Sequence, residues 1–139
     1  MVNLITGPKG SGKTQQMIEL ANKAVKTTNG NVVLIKKSHK DTLSVDFSIR
    51  AICMADYTDI VNVDEFVGFL YGMVAGNHDI ETILIDGVLK QADISLDNLP
   101  KFIEKLKKIS NNDKIEFYIS VSATKEQMTG VDFTECKIL

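Results

Sequence analysis

A glycine-rich turn stands near the start of the chain, where residues 7–14 read Gly7-Pro8-Lys9-Gly10-Ser11-Gly12-Lys13-Thr14. These residues form an uninterrupted G-x-x-x-x-G-K-[ST] pattern, here called the glycine motif. The apolar segment 2–6 before it is typical of a short strand, and the apolar spacing from Met17 to Val25 is typical of a helix. The motif therefore lies at a strand-to-helix turn, where backbone N–H groups and a helix N-terminus favour an anion.

Each residue type in the glycine motif suits a phosphate ligand. Gly7, Gly10 and Gly12 allow consecutive backbone N–H groups to converge on one anion, since no Cβ atom is in the way. Lys13 is expected to reach the β- and γ-phosphate oxygens and Thr14 to ligate Mg²⁺. The motif resembles the P-loop, or Walker A sequence, of the P-loop NTPase superfamily. The resemblance implies that residues 7–14 bind the nucleotide.

A second feature is the apolar run 82–85, which ends in Asp86. It resembles the Walker B strand of the same superfamily, and the resemblance implies that Asp86 holds Mg²⁺ opposite Thr14. Many P-loop ATPases place a glutamate directly after this aspartate, where this chain has Gly87. Binding is therefore better supported than fast hydrolysis. Three other carboxylates could replace that glutamate, and their spacing does not choose among them: Glu81, Glu65 and Asp64.

Three further residues are candidates for the site. Arg50, the one arginine in the sequence, could stabilise charge on a transferred phosphoryl group, in cis or across a subunit contact. The alternative is an ordinary salt bridge, to Asp46 or Asp56. The predicted strand 115–121 is followed by Ser122 and Thr124, which resemble the polar sensor position of RecA-like ATPases. The alternative is a hydroxyl-rich start of a loop.

Strand-like and helix-like patterns alternate along the chain. Strands are predicted over 2–6, 32–35, 47–53, 59–63, 82–86, 115–121 and 136–139, and the long helical patterns follow residues 12, 62 and 98. This alternation predicts one α/β domain over residues 1–139. It has three layers, with a mainly parallel five-stranded sheet and helices on both faces. Nucleotide is expected at the carboxyl ends of the strands.

The second helical pattern contains Gly68, Gly72 and Gly76 at every fourth position. Each glycine inside a helix costs about 1 kcal/mol relative to alanine, so such a stripe needs a reason. We expect close backbone approach, first to another part of the same domain and second to another subunit of a homo-oligomer.

Composition limits the compartment and the partners. The net charge is -2 and the pI is near 5.7, which argues against a nucleic-acid partner; the lysine-rich stretches 36–40 and 101–108 are interpreted as solvated surface. No apolar run is long enough for a membrane span, and a strand at residue 2 leaves no room for a signal peptide, so a cytoplasmic protein is expected. Cys53 and Cys136 lack zinc-type or disulfide-type spacing and are expected to be reduced structural residues.

Adenine is the expected base, because the N-K-x-D and D-x-x-G sequences of GTPases are missing. The order of elements also resembles, faintly, the core of cellular-type thymidine kinase. Its catalytic glutamate and zinc lobe have no counterpart here, so its nucleoside site is not carried over. The sequence thus predicts a Mg·ATP-binding protein that acts as a slow ATPase in a switch or assembly. A small-molecule kinase and a non-hydrolysing nucleotide-binding protein are the alternatives.

Overall fold

The computed structural model describes residues 1–40 and 44–139, in which strands alternate with helices. Among these residues, none of the helices has the length and apolar character needed to cross a membrane. The strands are β1 (Val2–Thr6), β2 (Asn31–Lys36), β3 (Arg50–Cys53), β4 (Ile80–Ile85), β5 (Glu116–Val121) and β6 (Cys136–Ile138). The α-helices are α1 (Lys13–Thr27), α2 (Val63–Gly76) and α3 (Leu99–Asp113).

All described strands belong to one parallel sheet of order β3-β2-β4-β5-β1-β6. The first strand is therefore flanked by the fifth and the sixth, and β5 separates β1 from β4. The predicted α/β class and the parallel pairing are confirmed. The predicted number of five strands is wrong, since the sheet has six. Two of them are short: β3 has 4 residues and β6 has 3.

Helices cover both faces of the sheet, as predicted. On one face Met17 of α1 packs with Leu34 and Leu84. The opposite face carries α2 and α3, and there Phe66 and Phe102 meet edge to face at 5.8 Å between ring centroids. Side chains alternate across a strand, so the central strands, which are buried on both faces, read as continuous apolar runs.

Two predicted strands differ from the structure. The segment predicted to be extended over 47–53 is a strand only from Arg50, and Phe47 is fully exposed. The cause is a local turn, because the Asp46 carboxylate accepts hydrogen bonds from the backbone N–H and the hydroxyl of Ser48. The predicted strand 59–63 is wrong: residues 59–62 form no strand, and α2 begins at Val63.

The start of α2 follows the prediction, but its glycine stripe does not. Asn62 and Glu65 form the expected capping box. At Gly68, Gly72 and Gly76, however, a Cβ atom would meet nothing within 4 Å. The prediction that the stripe permits close approach within the domain is therefore wrong. A role of the stripe in a homo-oligomer stays a prediction.

Parallel strands bring their carboxyl ends to one edge of the sheet. The glycine motif follows β1 there, Asp86 follows β4 and Ser122 follows β5. Arg50 is the exception, because it begins β3 instead of following it. This edge is where the remaining candidate residues gather.

Candidate functional site

The glycine motif adopts backbone conformations that favour glycine. The φ angles of Gly7, Gly10 and Gly12 are 145°, 83° and 85°, and a Cβ atom at Gly10 or Gly12 would project into open space. The Gly7 N–H donates to the Ala123 carbonyl at 3.0 Å, which fastens the turn to the segment after β5. The result is an open turn, supported from the neighbouring strand and followed directly by the N-terminus of α1.

Lys13, the first residue of α1, lies across this turn. Its side chain is buried, with an exposed fraction of 8%, and its Nζ donates to the carbonyls of Gly7 at 3.0 Å and Pro8 at 2.7 Å. Burial lowers the pKa of Lys13; the negative charge of Asp86 opposes this shift and the positive charge of Lys90 adds to it. The turn thus holds an ammonium group beside the carboxylate of Asp86.

Asp86 joins the two sequence motifs. Its Oδ2 accepts a hydrogen bond from the Thr14 hydroxyl at 3.0 Å, although the two residues lie 72 positions apart. Its Oδ1 accepts from the Ser120 hydroxyl at 2.9 Å, and that hydroxyl accepts from the Gly87 N–H at 2.7 Å. The structure therefore brings together the predicted pair Thr14 and Asp86, and it adds Ser120.

A buried glutamine lies behind Asp86. Gln91 has no exposed surface, and its Nε2 donates to the Asp86 carbonyl at 3.0 Å. Its Oε1 is buried and has no hydrogen-bond partner among the described residues. No feature of the sequence near position 91 indicates this contact. Ser120 did leave a signal, because it is a polar residue between the apolar residues Ile119 and Val121.

Two cavities flank Asp86. The larger has a volume of about 210 Å³ and the smaller about 100 Å³, and both are bounded by Thr14, Asp86, Gly87 and Lys90. Among the described residues that line them, Asp86 is the one carboxylate. Six lysines line one or both of these spaces: Lys9, Lys13, Lys36, Lys37, Lys40 and Lys90. This excess of positive charge over a single carboxylate favours a polyanion.

Of the two predicted sensor residues, only Ser122 lies beside Asp86. Ser122 lines the larger cavity. Thr124 instead caps a short 3₁₀ turn, where its side chain accepts a hydrogen bond from the Gln127 N–H. Within the glycine motif, the Ser11 hydroxyl donates to the Pro8 carbonyl at 2.7 Å, so it serves the turn itself.

Arg50 lies apart from these cavities, at the start of β3. It lines a third cavity of about 690 Å³, which is bounded by β2, β3 and the apolar residues Phe69 and Met73 of α2. In the described part of the chain, Arg50 forms no salt bridge with Asp46 or Asp56, the alternative that the sequence offered. The Asp46 carboxylate binds Ser48, and that of Asp56 pairs with His39.

The three substitute carboxylates are engaged elsewhere. Glu65 belongs to the cap of α2, Asp64 pairs with Lys101 at 3.6 Å, and Glu81 accepts a hydrogen bond from the Thr28 hydroxyl. None of them lines either cavity beside Asp86.

A scan against models of known protein families finds no match to this chain. A search of curated proteins likewise finds no significant match.

Proposed function

We propose that this chain binds Mg·ATP at the carboxyl edge of its sheet and hydrolyses it slowly, as a P-loop nucleotide-binding protein. The observation that carries the proposal is the contact between Thr14 and Asp86 beside the glycine motif. The glycine motif resembles Walker A and the segment that ends in Asp86 resembles Walker B. The two metal ligands that these resemblances imply, Thr14 and Asp86, lie within hydrogen-bond distance of each other.

The donor atoms around Asp86 fit a magnesium ion. Thr14 offers a hydroxyl oxygen and Asp86 a carboxylate oxygen, and Mg²⁺ prefers hard oxygen ligands from one or two such groups together with phosphates and waters. These two residues would hold the ion. When bound, Mg²⁺ would neutralise part of the phosphate charge.

The residues of the chain itself account for phosphate binding. The backbone of the glycine motif and the N-terminus of α1 supply N–H donors. The Nζ of Lys13 donates hydrogen bonds to the carbonyls of Gly7 and Pro8, and a phosphate oxygen could replace these carbonyls as the acceptor. Lys9 and Lys90 border the same cavity and add positive charge for a triphosphate.

The same residues support slow turnover. A base that activates water needs a free carboxylate near the γ-phosphate. Asp86 already accepts hydrogen bonds on both oxygens, and within residues 1–40 and 44–139 no other carboxylate lines its two cavities. Ser122 remains available at the cavity wall to orient a water molecule or the γ-phosphate. This arrangement favours a switch or an assembly module over a fast hydrolase.

Calorimetric titration with Mg·ATP tests the proposal, with Lys13→Ala as the variant and Lys108→Ala, on the exposed face of α3, as its control. Removing a charge-assisted contact costs about 1.5–3 kcal/mol, so Lys13→Ala should weaken binding by roughly tenfold to a hundredfold. Lys108→Ala should bind as the wild type does. Thermal unfolding without ligand confirms that both variants fold. Wild-type affinity in Lys13→Ala would refute the proposal.

Phosphate release separates the three functions that a nucleotide site allows. Acceptor-independent release of phosphate at a low rate supports the slow ATPase. ADP formation that depends on an added nucleoside or other hydroxyl acceptor supports a small-molecule kinase instead. Tight binding without any turnover supports a non-hydrolysing nucleotide-binding protein.

A further inference from the structure

Three side chains with metal-binding atoms converge at the carboxyl end of β3, outside the Asp86 site. They are His39, Cys53 and Asp56, and one ligand atom from each lies within 4.8 Å of the other two. The Nε2 of His39 is 3.0 Å from the Oδ1 of Asp56. The cluster thus presents one imidazole nitrogen, one sulfur and one carboxylate oxygen to a common point.

Local structure fixes two of these ligands. Cys53 is the last residue of β3 and Asp56 ends the 3₁₀ turn Met54–Asp56 that follows directly. A 3₁₀ helix has three residues per turn, so side chains three positions apart lie one above the other. The backbone carbonyl of Lys37 holds this segment at two points. It accepts hydrogen bonds from the Cys53 Sγ at 3.4 Å and from the Ala55 N–H at 3.1 Å.

The third ligand comes from the connection after β2. His39 lies three residues beyond Lys36, which pairs with Cys53 in the sheet register. The parallel pairing of β2 and β3 therefore sets the imidazole beside the thiol. This arrangement was not predictable from the sequence, because the ligands are spaced 14 and 3 positions apart and match no common zinc pattern.

The donor set selects a particular class of metal. Sulfur and imidazole ligands suit Zn²⁺, whereas Mg²⁺ and Ca²⁺ prefer oxygen. Three protein ligands leave a fourth tetrahedral position for water, and the cavity lined by these residues has a volume of about 110 Å³, which is room for an ion and a water molecule. A thiolate and a carboxylate together neutralise the charge of a divalent ion. This neutralisation reduces the repulsion between the ion and the positive charges of Lys36 and Arg50, which line the same cavity.

We infer that His39, Cys53 and Asp56 form a Zn²⁺ site with an open coordination position. The site is separate from Thr14 and Asp86, so it does not depend on the proposed nucleotide site. One of its ligands, His39, belongs to the segment 36–40, whose lysines line the smaller cavity beside Asp86. Zinc would therefore fix that segment between β2 and β3.

The test uses the reduced full chain and Co²⁺ as a spectroscopic substitute for Zn²⁺. A cobalt ion bound by a thiolate gives an intense sulfur-to-metal charge-transfer band, which carboxylate or imidazole ligands alone do not give. We expect this band on addition of one equivalent of Co²⁺ and its loss on addition of Zn²⁺. Calorimetric titration then measures the affinity for Zn²⁺ itself.

The chain offers an internal control for two ligands, since it contains two cysteines and two histidines. Cys53→Ser should abolish the band, and His39→Ala should weaken Zn²⁺ binding by about tenfold or more. Cys136→Ser and His78→Ala should leave both readouts unchanged. Thermal unfolding without metal shows whether Cys53→Ser, a buried change, still folds; Asp56→Asn is an exposed second probe and should also weaken Zn²⁺ binding.

Two results would overturn the inference. One is the absence of a charge-transfer band in the reduced wild type, which would leave His39 and Asp56 as an ion pair with a cysteine nearby. The other is a band that survives in Cys53→Ser and disappears in Cys136→Ser.

Discussion

The hydroxyl of Ser120 donates to Oδ1 of Asp86 at 2.9 Å and at the same time accepts from the Gly87 N–H at 2.7 Å. One hydroxyl on β5 thus holds both the carboxylate and the backbone at the end of β4. With Thr14 on the other carboxylate oxygen, Asp86 is fixed between two strands and a helix.

Ser120→Ala should destabilise the protein. The change leaves a carboxylate oxygen and a backbone N–H without their partner at a position that is 1% exposed, and we expect a loss of about 1–3 kcal/mol. Urea unfolding measures the free energy. Ser122→Ala, two residues further along the cavity wall, is the control and should cost less than about 0.5 kcal/mol. Equal losses in the two variants would contradict the bridging role of Ser120.

Asp86→Asn should remove the magnesium dependence of ATP binding. The amide keeps the size of the side chain but loses the negative charge that a divalent ion requires, so affinity for Mg·ATP should fall by about tenfold or more. Affinity for ATP in the presence of EDTA should stay the same or rise, because several lysines then face no carboxylate. Titrations with and without Mg²⁺ measure both. Asp97→Asn, on an exposed loop, is the control and should respond to Mg²⁺ as the wild type does. If Asp86→Asn also responds to Mg²⁺ as the wild type does, Asp86 is not the magnesium ligand.

The two motifs were predictable from the sequence because each is local. Eight consecutive residues define the glycine motif, and a buried strand that ends in a carboxylate defines Asp86. Parallel strands then bring Thr14 and Asp86 to the same edge without further information. By contrast, the partnership of Ser120 with Gly87 depends on β5 lying next to β4, and strand order cannot be read from periodicity.

Tertiary context also explains the predictions that are wrong. Alternating apolar residues suggested a strand from Phe47, but a side-chain hydrogen bond of Asp46 forms a turn there. The glycine stripe of α2 suggested a packed face, and the face is open. The cluster of His39, Cys53 and Asp56 could not be predicted from the sequence, because its ligands come together only through the pairing of β2 with β3.

Gly12→Ala should strain the turn without any steric collision. Gly12 has φ of 85° and a Cβ atom there would meet nothing within 4 Å, so the cost is purely that of a left-handed backbone, about 1–2 kcal/mol. We expect lower stability in urea and weaker Mg·ATP binding, because the N–H groups of the turn shift. If the variant unfolds and binds as the wild type does, the turn does not require its glycine.

Gly72→Ala should have the opposite effect on stability. This glycine lies inside α2 with open space where a Cβ atom would be, so alanine should stabilise the protein by about 0.5–1 kcal/mol. Urea unfolding measures the change, and Gly68→Ala should behave in the same way. Sedimentation at several protein concentrations tests the homo-oligomer. Destabilisation together with loss of a dimer would mean that a second subunit packs on the stripe.

Arg50→Ala should leave Mg·ATP affinity within about twofold of the wild type. Arg50 begins β3, and it lines neither of the two cavities beside Asp86. The titration used for Lys13→Ala serves as the comparison. A fall of tenfold, appearing only at protein concentrations that allow self-association, would place Arg50 in the nucleotide site of a neighbouring subunit.

The position of β1 has a consequence for how the domain folds. Both neighbours of β1 (Val2–Thr6) in the sheet, β5 and β6, lie beyond residue 115. The hydrogen bond from the Gly7 N–H to the Ala123 carbonyl likewise joins two distant segments of the chain. Such long-range pairing folds slowly, because distant segments must meet before any contact is gained. The glycine motif is thus among the last parts of the domain to reach its final conformation, and the nucleotide site proposed here is complete only after the segment up to Ala123 has joined the sheet.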